Sequence, residues 1–401
     1  MDVTNPSLAA LTASALALPG MLPTAEAGTP ITKVETSVQY SHYQESQNRV
    51  HVDVVHGSVM APIAGRFELG GNWIQDTWGG ATPVLSVPAS TPLVLTGAST
   101  LVIANNHHPI TKPQPVQIMS SASIHETRRQ IDLKASYLFD AVAVELSGGQ
   151  SDEPDLLSNF YHVGTLWDFN HKMTALNVGL GYITDDVNPV TRPAVHEHKA
   201  DLGFQVGLTQ ILDKESLAQV GIAYNNASGF LSNPYKKVFI QNYGVIYDQR
   251  PNVHEQWSLN AQYLRHVDFA DAAVQLSYRF FGDDWGILSH TLETNWRQPV
   301  GDGWMLTPRI RYYSQSQANF YEAYFLAPNP TGYYSSDFRL SAYGSITVGV
   351  TLEKKWFDWM SMNVGFEYYQ HKGSLKLGGN GENNFADVNF MLANAAFKFE
   401  F

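Results

Sequence analysis

The sequence contains no cysteine, which excludes disulfide frameworks, thiol nucleophiles and thiolate metal sites together. It is also poor in charge: Asp, Glu, Lys and Arg make up 15% of its 401 residues, against roughly 25% in an ordinary soluble domain. What charge there is runs acidic, with 37 acids against 25 bases and a net charge of −12. That balance excludes nucleic acid as a partner, because phosphate binding needs a basic face. No apolar run reaches the ~18 to 20 residues that a membrane-spanning helix requires. G-x-S-x-G, H-E-x-x-H and G-x-x-x-x-G-K-[ST] are all absent.

Aromatic residues, by contrast, are plentiful: 9 Trp, 20 Tyr and 20 Phe, or 12% of the chain. With so many rings and so little charge, the chain cannot be read as disordered.

Residues 1–27 hold a short Ala/Leu-rich stretch broken by Pro19 and Pro23, then Ala25-Glu26-Ala27. An apolar core followed by an A-x-A site predicts a secretory signal peptide. The usual basic start is missing, since Asp2 precedes any Lys or Arg and Lys33 is the first base. A buried amphipathic N-terminal helix is the competing reading of the same residues.

From Ile31 onward the hydrophobic period is two rather than 3.6. Val34, Thr36, Val38 and Tyr40 alternate with polar neighbours, as do Leu202, Phe204, Val206 and Leu208. Val274, Leu276, Tyr278 and Phe280 repeat the pattern, and so do Met360 to Tyr368 on even numbers. Val50, Val52 and Val54 alternate with Arg49, His51 and Asp53 and are read the same way, valines outward. Sixteen such stretches follow one another, starting near residues 33, 48, 67, 128, 141, 158, 173, 196, 217, 255, 272, 285, 303, 338, 359 and 386. Residues 238–247 hold enough apolar character for two more.

Short connections alternate with longer Pro- and Asn-rich ones at 77–127, 184–195, 227–254, 314–337 and 371–385. Bacterial outer-membrane barrels have this asymmetry, with an even strand number, short periplasmic turns and long outer loops. Lipid offers backbone amides no water, so only a closed sheet satisfies them. The expected fold class is therefore all-β: a transmembrane antiparallel up-and-down β-barrel of about 16 strands spanning 28–401, both termini periplasmic.

Aromatic rings on the apolar parity (Tyr40, Trp73, Trp167, Tyr182, Tyr224, Trp257, Tyr278, Trp296, Trp304 and Tyr368) predict two interfacial girdles. A soluble core filled by the same rings is the alternative. The chain ends with Phe397, Phe399 and Phe401 alternating with Lys398 and Glu400. A last strand ending in Phe resembles the signal read by the barrel-insertion machinery, which makes that machinery and outer-membrane lipid the expected partners.

Four segments carry a family resemblance: 119–129 (MSSASIHETRR), 229–236 (GFLSNPYK), 283–290 (DDWGILSH) and 297–315 (RQPVGDGWMLTPRIRYYSQ). They resemble the bacterial outer-membrane family catalogued as domain of unknown function 3570, from about Val34 to the C-terminus. The resemblance implies a barrel and an outer-membrane location, and it brings no activity or catalytic residue with it.

Candidate chemistry is sparse. Ser121, Ser123 and His125 lie close in sequence, yet nothing marks a strained nucleophile or an oxyanion hole, so a polar strand entrance is the plainer reading. His196 and His198 share one strand face and have the spacing of a metal chelate, but the parity points outward and no third ligand follows. His107 and His108 sit in a Pro-rich loop. No cofactor, resident metal or enzymatic activity is expected.

The inward parity is the informative set. It offers Lys33, Glu35, Arg49, Asp53, Glu68, Asp132, Lys134, Glu145, Asp201, Arg279, Glu293, Arg309, Arg311, Glu367, Lys398 and Glu400. Of these, Arg279, Glu293, Arg309, Arg311, Glu367 and Lys398 are the candidates for setting channel selectivity. Interleaved signs either make a transverse field across an open lumen or pair up and plug it. The first reading predicts a porin-like channel for small polar solutes, with neither strict cation nor strict anion preference. The second predicts a structural or partner-binding barrel, holding a periplasmic or surface protein such as an electron carrier, or an oligomer. A membrane hydrolase is the third class, disfavoured by the missing nucleophile. Loop 77–127, with Pro83, Pro88, Pro92, Pro109, Pro113 and Pro115, is expected either to cap the mouth or to pack on neighbouring loops.

Overall fold

Sixteen consecutive period-two stretches have only one way to pair every amide without an edge, and in the computed structural model they close into a ring. The structure describes residues 31–80, 83–88, 93–96, 100–103, 115–119, 126–382 and 387–401. The expected signal segment 1–27, Ser121, Ser123, His125, His107 and His108 lie outside the described residues.

The strands, in chain order, are β1 (Glu35–Glu45), β2 (Val50–Ala64), β3 (Phe67–Gly80), β4 (Glu126–Leu138), β5 (Val142–Glu153) and β6 (Leu156–Phe169). Then come β7 (Thr174–Val187), β8 (Glu197–Ile211), β9 (Ser216–Gly229), β10 (Val253–Val267) and β11 (Ala272–Asp283). The last five are β12 (Leu288–Pro299), β13 (Trp304–Gln315), β14 (Tyr343–Phe357), β15 (Met360–Lys372) and β16 (Val388–Glu400).

Each strand pairs antiparallel with its sequence neighbours, and β1 closes on β16, Glu35 opposite Glu400 and Glu45 opposite Phe390. Sixteen strands spaced ~4.8 Å and tilted ~40° make a ring about 30 Å across. Turns at the end that holds both chain termini are tight. Gly65, at φ +55°, sits in the two-residue link between β2 and β3, where a side chain would be strained. The opposite end carries the long loops.

Cross-strand register fixes which parity points out. Tyr161 of β6 pairs with Tyr182 of β7, Phe204 of β8 with Tyr224 of β9, and that residue with Trp257 of β10, all outward and exposed. Leu133, Leu146, Val163, Leu180 and Ile222 lie on the same outer face. Aromatic rings mark both rims of this apolar face: Tyr40, Tyr161, Tyr182, Tyr224, Trp257, Tyr278 and Tyr368 toward the loops, Phe139, Trp167, Phe169, Trp304 and Trp359 toward the turns. At the seam, Trp359 stacks on Phe399 and on Phe401, whose backbone exchanges hydrogen bonds with Val34.

The structure corrects the reading of β2. Val38 faces outward and pairs with Gly57, which puts Val55, Val59 and Ile63 outside and Val50, Val52 and Val54 inside. Asp53 therefore points outward, accepting hydrogen bonds from Tyr40 (2.5 Å) and from His42 Nδ1 (2.8 Å). The physical reason is position. This end of β2 lies toward the loops, where Val50 and Val52 pack with Trp78 inside the mouth and the outer face can be polar.

Residues 238–247 add no membrane strands. Lys237–Ile240 and Gly244–Tyr247 form a small hairpin among the loops. The stretch expected from Phe338 begins as a single 3-10 turn at Phe338–Leu340, and β14 starts at Tyr343.

Candidate functional site

The inner face of the barrel is polar, and its charges divide by wall. Inward-facing positions of β3 to β8 carry Glu68, Asp76, Glu126, Asp132, Glu145, Glu153, Asp168, Asp185 and Asp201 against Arg128, Lys134 and Lys199. Those of β11 to β13 carry Arg279, Arg297, Arg309 and Arg311 against Asp283 and Glu293. In a ring of sixteen, β4 and β12 are eight strands apart and face each other across the lumen.

The acidic wall is only partly neutralised. Lys134 pairs with Glu145 (2.5 Å), Lys199 with Asp185 (2.8 Å) and Arg128 with Asp76 (2.8 Å). Asp132 instead accepts from the amide of Asn72 (2.7 Å) and Asp201 from that of Asn225 (2.8 Å), and neither pairs with a base among the described residues.

Four of the sequence candidates, Glu293, Arg309, Arg311 and Glu367, form one network on and beside the basic wall. Glu293 accepts from Arg309 Nη2 (2.9 Å), Arg311 Nε (2.6 Å) and Asn295 (3.0 Å), and Arg309 reaches on to Glu367 (2.5 Å). That last bond crosses a whole strand, from β13 over Gly349 of β14 to β15. A Cβ on Gly349 would sit 2.9 Å from Glu367 Cγ, so the glycine keeps the bridge's path open. Arg279 faces the same space and makes no ion pair among the described residues; its Nε is buried without a hydrogen-bond partner. Lys398 stands apart at the turn end, between Glu35 (3.0 Å) and Glu400 (3.1 Å).

Above this ring the loops fold inward over the mouth. Gln315, on the inward parity of β13, donates to the carbonyls of Arg339 (2.9 Å) and Ser341 (2.7 Å), and Phe338 meets the ring of inward-facing His371. Trp285 stacks on His254 and meets Phe320 edge-on. Loops 230–252 and 316–342 then build cores of their own: Val238 and Ile240 with Phe325 and Tyr334, and Trp285 and Ile287 with Phe320, Tyr321 and Leu340.

The described part of the long β3–β4 loop joins them. Pro83–Pro88 pairs with Pro115–Met119, and Leu85 and Val87 pack on Phe239 beside Tyr324. The described part of this loop thus packs on its neighbouring loops.

A buried polar hub ties the cap together, and sequence reasoning missed it. Asp337 accepts from Arg250 Nη2 (2.9 Å) and Arg339 Nε (2.7 Å), and Asp248 takes Arg250 Nε (2.7 Å), Asn233 N (2.8 Å) and the Ser335 hydroxyl. Burial alone would raise the Asp337 carboxyl; the Arg339 guanidinium, with Lys236 and Arg250, overrides it and holds it well below the carboxylate range. Tyr235 donates to Asp155 (2.6 Å), bridging loop 230–252 to the link between β5 and β6. One signal was present in the sequence: these loops carry Val, Ile, Phe and Tyr at a density that exposed connections do not need.

Two sequence candidates stay apart. His196 binds Asn188 (2.7 Å) and His198 binds Asp186 (2.5 Å), each separately, and no group of three His, Asp or Glu able to hold a metal occurs among the described residues.

No curated protein matches the sequence. Among solved structures, a bacterial polysaccharide outer membrane secretin is similar, with a TM-score of 0.52 and 7% identity over 92% of this chain and 98% of that one. OccD3 (OpdP) of Pseudomonas aeruginosa matches at 0.42 and 8%, over 95% of both chains. The siderophore receptor PirA of the same organism matches at 0.42 and 10%, over 85% of this chain, which spans 57% of that receptor's length. At these identities the likeness is one of fold, that of outer-membrane barrels. The family described as "Protein of unknown function (DUF3570)" matches residues 8–196 and 190–392, nearly all of the strand-bearing sequence, and the protein belongs to it.

Proposed function

We propose that the protein is an outer-membrane, porin-like conduit for small polar solutes, with its turns and both termini in the periplasm and its cap outside. The supporting observation is the pair of opposed walls, acidic on β3 to β8 and basic on β11 to β13, beneath a mouth narrowed by folded loops. Sixteen strands leave an aqueous channel unless something fills it, and a field directed across that channel orients dipolar solutes as they pass. Residues 1–27 serve as a cleaved signal peptide and Phe401 addresses the chain to the insertion machinery. No part of the reading calls for catalysis, a cofactor or a metal.

The test is purified protein in planar bilayers. Conductance steps of uniform size are expected, with a small reversal potential in a salt gradient because the lumen presents both signs. Intact-mass measurement of protein taken from outer membranes should give a chain lacking Met1 to Ala27. A mass retaining them would assign the segment a structural place instead.

A partner-binding barrel is the second reading, favoured by the cap's own buried cores, which resemble a folded platform more than mobile loops. A silent bilayer with fully folded protein would support it over the conduit.

A further inference from the structure

We propose that the lumen holds an oxyanion-binding site centred on Arg279, which takes a carboxylate- or phosphate-bearing solute. The proposal deepens the conduit reading by naming a substrate class, but binding itself does not require conduction.

The inward cations differ in what they touch. Lys134, Lys199, Arg128, Arg309, Arg311 and Lys398 each lie within 4 Å of a carboxylate. Arg279, like Arg297 at the exposed turn end, has none among the described residues, and the nearest acid to Arg279 by register is already taken. Ser277, two residues along β11, is directly opposite Glu293, yet Glu293 is saturated by Arg309, Arg311 and Asn295.

The cross-strand neighbours of Arg279 are neutral and polar: Asn260 on β10 and Thr291 on β12, with Tyr313 beyond Thr291 on β13. The Phe281 ring lies 5.9 Å from its guanidinium carbon. A guanidinium whose Nε is buried and unpartnered, set among an amide and hydroxyls with no competing carboxylate, offers an incoming oxyanion a charged fork and neutral donors together. Arg309 and Arg311 are balanced by Glu293 and Glu367, so the net positive charge of this cluster is that of Arg279.

Succinate and inorganic phosphate are the probes. Their binding is measured by titration calorimetry on the detergent-folded full chain at low salt, with heat-modifiable gel mobility confirming the fold of each variant. Saturable binding of at least one probe is expected. Arg279→Gln should weaken it tenfold or more, Arg279→Lys should retain part of it, and Arg66→Gln, in the exposed β2–β3 turn, should leave it unchanged. Loss of succinate binding alone would identify the ligand as a carboxylate, loss of phosphate alone as a phosphate, and loss of both as oxyanions in general.

Absence of saturable binding for both probes, or equal affinity in folded Arg279→Gln, overturns the site. Bilayer recordings separate the two ideas. A silent barrel that binds the probes through Arg279 defeats the conduit and keeps the site, whereas a conducting barrel whose probe binding is indifferent to Arg279→Gln does the reverse.

Discussion

Replacing Asp337 with alanine should open the loop end of the barrel, raising single-channel conductance at least twofold while the strands stay folded. Asp337 is 1% exposed and accepts from both Arg250 and Arg339, so its removal takes a carboxylate from half-buried Arg339 and leaves buried Arg250 with only Asp248. Breaking a buried ion pair from one side costs about 3 to 5 kcal/mol, chiefly because the surviving charge has lost its solvation. Against that loss the cap sets its clusters around Trp285, Phe320 and Tyr321 and around Val238, Ile240, Phe325 and Tyr334. The barrel does not depend on the hub, since every strand is paired by its own backbone ladder. The cap should therefore open in this variant while the strands stay paired. Trypsin should then cut the variant near Lys236, Lys237 and Arg250, with heat-modifiable mobility retained. Unchanged conductance in a variant cut at those sites would mean the cap never obstructed the lumen.

The same hub gives a pH prediction. The folded carboxyl of Asp337 titrates below its unfolded value, so its contribution is fully present above the ordinary carboxylate range and is lost only as pH falls through the folded pKa. Between about pH 5 and 8 the hub should be insensitive to pH, because the arginines stay charged throughout. A cap that loosened in that window would have to be driven by other groups.

Strand number and order were legible in the sequence because lipid imposes one rule on every spanning residue of a barrel: one parity apolar, the other polar. The rule fades where a strand leaves the bilayer, which is why the valines at 50, 52 and 54 misled. Alternation reveals which parity is apolar, but not whether that parity faces lipid or a packed mouth. Residues 238–247 failed for a related reason, since a small hairpin in a cap buries the same alternating side chains as a membrane strand. The inward placement of Arg279, Glu293, Arg309, Arg311, Glu367 and Lys398 followed from parity alone. Their grouping did not, because Arg309 meets Glu367 only after β14 has been laid between their strands. The hub was least legible of all: Arg250 and Asp337 are 87 residues apart in loops with no period.

Changing Arg309 and Arg311 together to glutamate should make the channel clearly cation-selective and lower its resistance to heat. Arg279, Arg309, Arg311, Glu293 and Glu367 carry a formal charge of +1, and the double change makes it −3. Glu293, only 7% exposed, would lose both arginines and gain a carboxylate directly opposite it at position 311, and like charges so placed on adjacent strands repel. The four carboxylates can relieve that repulsion by taking up protons or by holding cations from the lumen, and held cations are what a selective pore conducts. The basic wall would also vanish while the acidic wall of β3 to β8 remained, so the field across the lumen would no longer have two signs. Glu293→Gln is the reciprocal variant: it raises the set to +2 and leaves Arg309 its bond to Glu367, so a shift toward anions with little loss of stability is expected. Reversal potentials in a potassium chloride gradient should move in opposite directions for the two variants. If both folded variants kept the native value, this wall could not be the selective constriction, and the cap above it would have to be.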